Sequence, residues 1–155
     1  MKAKTMKTRS LKAKLVAQSL PIALSVLGLL GVAFSLSANA QTVNVQLSGA
    51  QEVPAVMTTA TGSGVIVVGA DKAVSGSVTV SGLEPTMAHI HEGAAPNANG
   101  PVIVPLAKTA DNVWSVPAGA KLSDSQFDSF KKGNLYVNVH SATNKGGEIR
   151  GQMKP

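Results

Sequence analysis

The chain has 155 residues, no cysteine, and 14 Lys and Arg against 8 Asp and Glu, a formal net charge of +6. Without cysteine, disulfides, thiolate metal sites, cysteine nucleophiles and redox motifs are excluded, so any metal must be held by His, carboxylate, Met or backbone oxygen. The positive charge is uneven: Lys2, Lys4, Lys7, Arg9, Lys12 and Lys14 lie at the start, and beyond residue 40 eight basic residues face eight acidic ones, which removes charge as an argument for nucleic-acid binding.

Those basic residues lead into the apolar run "LPIALSVLGLLGVAFSLS" and then "ANA" at Ala38 to Ala40. The pattern is that of a secretory signal peptide with a small-x-small cleavage site. A single membrane anchor is the competing reading, because the run approaches the roughly 18 to 20 residues that a spanning helix needs. Its Ser and Gly content and the adjoining "ANA" favour cleavage after Ala40. The expected organisation is therefore a signal peptide over 1–40 and one domain over 41–155, periplasmic or secreted, with no membrane attachment after cleavage.

Beyond Ala40 the chain is rich in Val, Thr, Ser and Gly and reads as short strands. "TVNVQLSG" alternates Val43, Val45 and Leu47 with polar residues. "GSGVIVVGA" and "AVSGSVTVSG", separated by Asp71 and Lys72, form a hairpin pattern. "MAHIH" and "GPVIVPL" follow, and Pro101 and Pro105 confine the latter to a sheet edge. Between them "GAAPNANGP", 93–101, is the most loop-like segment. After "NVWSV", "LSDSQFDSFKKG" is the one good helix signal: Ser123 and Gln126 fit a capping box, Phe127 and Phe130 share an apolar face, and Lys131, Lys132 and Gly133 close it. "LYVNVH" and "GEIRGQM" complete the series. Trp114 and Tyr136 read most simply as core or edge aromatics. Seven or eight short antiparallel strands with Gly-rich turns imply an all-β sandwich or small barrel, with one short helix near 123–132 plugging an end.

The chain's three histidines share one setting. Alternation along "MAHIH" puts Met87, His89 and His91 on one face and Ala88 and Ile90 on the other. In "LYVNVH", Leu135, Val137 and Val139 form the apolar face, with Tyr136, Asn138 and His140 opposite. A His-x-His pair can reach one ion, and a third imidazole from a neighbouring strand makes a three-nitrogen set of the kind that suits copper, zinc, nickel or iron. The alternative is that all three are solvent-facing strand residues. Met87 is a candidate soft ligand for Cu(I) or a packing residue, and Glu92 is a candidate partner holding an imidazole. No catalytic set is recognisable: no nucleophile elbow, no paired carboxylates, and no glycine-rich loop that opens a helix.

Three motifs in order, "LSGAQEVPAVMTTATGSG", "GLEPTMAHIHEGAAPNANGPVIVPL" and "LYVNVHSATNKGGEIRGQM", resemble the CHRD domain, the module named after chordin and common in secreted bacterial proteins. The resemblance runs from about Leu47 to Met153. It implies an antiparallel Greek-key β-sandwich outside the cytoplasm. "AHIHEG" and "VNVHSATNKGGEIRG" are, more distantly, similar to the copper-binding strands of copper-zinc superoxide dismutases. That likeness implies His89, His91 and His140 as copper ligands and Arg150 as an anion-guiding accessory. No fourth histidine, zinc loop or disulfide accompanies it. Arg150 has a plainer reading as an exposed partner of Glu148 on a soluble sheet edge. The leading expectation is one copper ion on the three histidines, for copper binding and homeostasis. The alternatives are a metal-free module that binds an extracytoplasmic protein or polymer and, third, a dismutase-like enzyme.

Overall fold

A computed structural model describes residues 40–155; apart from Ala40, the expected leader lies outside the described residues. Nine strands and one α-helix are present among them: β1 (Gln41–Ser48), β2 (Thr61–Val68), β3 (Val74–Ser81), β4 (Pro85–Glu92), β5 (Val102–Pro105), β6 (Ala107–Ala110), β7 (Val113–Ser115), α1 (Asp124–Lys131), β8 (Leu135–Ser141) and β9 (Ile149–Gln152). Every ladder is antiparallel. The fold is all-β with a short helix, as the strand pattern and the resemblance imply.

Alternation decides which faces meet. Val43, Val45 and Leu47 of β1, Ile66 and Val68 of β2, Val78 and Val80 of β3, and Ala88 and Ile90 of β4 join Leu135, Val137 and Val139 of β8 in one buried cluster. The strand order is β5-β4-β8-β9-β1-β2-β3-β7-β6. Only Ser48 and Arg150 pair β1 with β9, so the order bends there into two layers. The far ends of the order are one continuous stretch of chain. Leu106 still donates its N–H to Ala88 O at 2.9 Å, while Ala107 already pairs with Ser115 of β7. The segment therefore switches layers at Leu106 and closes the sandwich.

β5 is an edge strand, as Pro101 and Pro105 require. β6 has no counterpart in the expected strands, because "AKTA" is exposed at all four positions and carries no apolar period. Helix α1 has the expected capping box: the Ser123 side chain accepts from Gln126 N–H, and the Gln126 side chain accepts from Ser123 N–H. Phe130 enters the core with no exposure while Phe127 packs partly against it. Gly133 ends the helix at φ 72°, a left-handed conformation that glycine adopts without strain.

The outer faces of β4, β8 and β9 differ from a solvent-facing sheet. Tyr136, Asn138 and His140 are 3%, 2% and 6% exposed, as deeply placed as most of the core. Segments 51–57, 93–101 and 142–147 provide the groups they meet there.

Candidate metal centre

Pairing of β4 with β8 sets His89 opposite Asn138, His91 opposite Tyr136 and Met87 opposite His140. The three imidazoles come together at ring-centroid distances of 5.5 Å (His89 and His91), 5.0 Å (His89 and His140) and 6.1 Å (His91 and His140). One ring nitrogen from each lies within 4.8 Å of the others. His91 and His140 are buried and His89 is half-buried.

Backbone carbonyls decide which nitrogens are free. His91 Nδ1 lies 2.9 Å from Gly100 O, and His140 Nδ1 lies 2.9 Å from Lys145 O. A carbonyl only accepts, so both Nδ1 atoms carry the proton and both Nε2 atoms keep a lone pair. His140 Nε2 lies 3.1 Å from His89 Nδ1. His91 Nε2 is buried and finds no hydrogen-bond partner among the described residues. That is the one orphaned acceptor in the cluster.

The electrostatics favour neutral rings. Burial holds all three imidazoles below their ordinary value of 6.5. The neighbouring imidazoles lower His89 further, and His140 and the Arg150 guanidinium lower His91 further. Their hydrogen bonds to Gly100 O and Lys145 O oppose the shift at His91 and His140 without reversing it.

A second layer of polar residues holds the loops that supply those carbonyls. The Tyr136 ring stacks on His91, with centroids 5.0 Å apart and planes 10° apart. Its hydroxyl accepts from Gly100 N–H at 3.1 Å. The Arg150 guanidinium carbon sits 3.5 Å from the Tyr136 centroid. Arg150 donates to Asn99 Oδ1, Ala98 O and Gln152 Oε1 at 3.0 to 3.1 Å, which ties segment 93–101 to β9. On the other side, Glu148 accepts from Thr58 Oγ1 at 2.8 Å, and hydrogen bonds from Ser141, Thr58 and Asn144 hold its carboxyl below the usual carboxylate range. Those bonds brace the loop that carries Lys145.

Two expectations are corrected here. Arg150 is neither exposed nor on an edge: β9 lies between β8 and β1, and Arg150 has 0% exposure. Its contacts are with Tyr136 and the 93–101 loop, so it meets the site through the framework and offers no guanidinium to anions arriving from solvent. Glu92 does not hold an imidazole. It accepts from Ser129 Oγ of α1 at 2.6 Å. The remaining named residues fall where alternation puts them, with Met87 on the histidine face and 47% exposed.

Gly100, Lys145 and the Arg150 strut carry no sequence signal of this role, since two of them act through backbone oxygens. Tyr136 had one: it alternates onto the same face of β8 as His140.

The CHRD domain family matches residues 43–153, nearly everything after the expected leader. The chain belongs to the CHRD domain family. Searches of curated proteins and of solved structures returned no match.

Proposed function

We propose that this CHRD-domain protein is exported and binds one copper ion through His89, His91 and His140, serving copper storage, buffering or delivery outside the cytoplasm. The observation that carries this is the orphaned His91 Nε2, buried beside two other imidazoles with its Nδ1 proton committed to Gly100 O. A buried acceptor left without a donor is destabilising by about 1–3 kcal/mol, and a cation offers it a partner.

The ligand chemistry fits copper, and the spacing of one nitrogen pair fits two bonds to a single ion. Two nitrogens each about 2.0–2.1 Å from one ion stand about 3 Å apart when their bonds are near right angles; His89 Nδ1 and His140 Nε2 are 3.1 Å apart. Metal-ligating histidines usually donate their other N–H to a carbonyl or carboxylate, as His91 and His140 do here. Among divalent first-row ions, copper binds nitrogen sites most tightly, and nothing in the ligand set favours zinc over it. Copper held there would supply a redox-active ion. The chain's own part is to keep three neutral nitrogens in place and to use carbonyls to fix the tautomers of two of them.

Export is supported by the leader pattern and by β1, which begins at Gln41, directly after the expected cleavage point. Protein isolated from the extracytoplasmic fraction should start at Gln41 by mass and hold one copper per chain after dialysis at neutral pH. His89→Ala, His91→Ala and His140→Ala should each lose most of it while keeping the β-rich circular dichroism. Folded variants that hold as much copper as the parent would refute the site.

A further inference from the structure

Met87 sits two residues before the histidine pair, on the same face of β4, with His140 as its Cα partner across the ladder. Side chains of directly opposed residues start about 5 Å apart at Cβ, a gap that the flexible thioether side chain can span. The ladder shifts register between Pro85 and Met87, an irregularity of the kind that re-aims a side chain. Ala88 and Ile90, on the other face, are buried to 1% and 0% exposure, whereas Met87 is left 47% exposed. Core packing therefore does not account for a long apolar side chain on the histidine face of β4.

The charges around the cluster point the same way. Its candidate ligands are all neutral, and three carboxylates of the surrounding segments are engaged elsewhere: Glu148 with Thr58, Glu92 with Ser129 and Glu52 with Asn138. The charged side chain that acts on His91 is the Arg150 guanidinium, positive and stacked on the ring that backs it. A partly desolvated site with neutral ligands and a cation behind it pays less to hold a monocation than a dication. Thioether sulfur is in addition a soft ligand, suited to Cu(I) and indifferent to harder ions.

We infer that Met87 Sγ is a fourth ligand that tilts the three-histidine centre toward Cu(I). The inference rests on the copper reading above, and one experiment separates their failures. The full exported protein, Met87→Leu and the control Met57→Leu, a methionine that is fully exposed, are titrated anaerobically with Cu(I) against a chromophoric Cu(I) chelator, and separately with Cu(II). X-ray absorption is recorded on each Cu(I) complex. Leucine conserves the volume of an exposed side chain, so Met87→Leu should fold. The expected result is a sulfur neighbour in the parent and in Met57→Leu that disappears in Met87→Leu. Cu(I) affinity should fall about ten- to a hundred-fold in that variant, at least the effect of losing an outer-shell partner, while Cu(II) affinity stays unchanged. Nitrogen neighbours alone in the parent, or undiminished Cu(I) affinity in Met87→Leu, would overturn the role of Met87 and leave the histidine site standing. Binding of neither oxidation state by the parent would overturn both.

Discussion

Burial of Arg150 takes a guanidinium out of water; Asn99, Ala98, Gln152 and the face of Tyr136 replace the hydration of its two terminal nitrogens, while Nε finds no partner among the described residues. Arg150→Met would strand those acceptors and is expected to cost on the order of 2–4 kcal/mol in urea denaturation of the metal-free protein. Arg150→Lys should recover little of it, because a single ammonium cannot both fork to three acceptors and stack on a ring. Titration of the histidines gives a second expectation. Each imidazole is held below 6.5 in the folded protein, so between 6.5 and the lower folded values the unfolded chain binds more protons. Stability of the metal-free protein should therefore be fully present above 6.5 and decline as pH falls through that window. A triple His→Gln variant should flatten the decline; an equally steep loss in that variant would assign it to other groups. Metal binding, which needs neutral rings, should likewise persist somewhat below the ordinary imidazole value.

Strands β4 and β8 place the imidazoles, but the loops choose their protonation. Alternation in "MAHIH" and "LYVNVH" was enough to put Met87, His89, His91, Tyr136, Asn138 and His140 on one face, and the Ser123 and Gln126 spacing was enough to start α1. Coverage of that face was not legible, since it depends on the backbone path of 93–101 and 142–147, and carbonyl oxygens leave no residue-type signature. The same limit explains the misplacement of Arg150: "GEIRGQM" reads as an amphipathic edge until the ladders put β9 between β8 and β1. Gly100 shows how tightly the covering loop is laid down. A Cβ there would collide with the carbonyl oxygen of Glu92, so Gly100→Ala must move the carbonyl that orients His91. Copper affinity is expected to drop about ten-fold or more in that variant, by competition titration, with α1 and the β ladders retained in the amide spectrum. Unchanged affinity would show that the Gly100 carbonyl is not needed.

Residues 40–155 form a sandwich closed through Leu106, with its aliphatic cluster between the layers and a second, polar packing on the outside of β4, β8 and β9. Composition and strand spacing made the sandwich legible. The closure was not, because β6 is four exposed residues whose place is set only by pairing with β7. Among the described residues no helix is long and apolar enough to cross a membrane. Acidic and basic residues balance beyond residue 40, so the polar outer packing, not a charged surface, is the chemically distinctive part of the domain. The proposed centre is three imidazoles, two of them fixed by carbonyls, holding one copper ion. Pulsed electron paramagnetic resonance of the protein loaded with one equivalent of Cu(II) counts bound imidazoles through their remote nitrogens. Three remote nitrogens are expected in the parent and two, with weakened binding, in His140→Ala; a parent spectrum with no imidazole coupling, or one unchanged in His140→Ala, would contradict the three-histidine site.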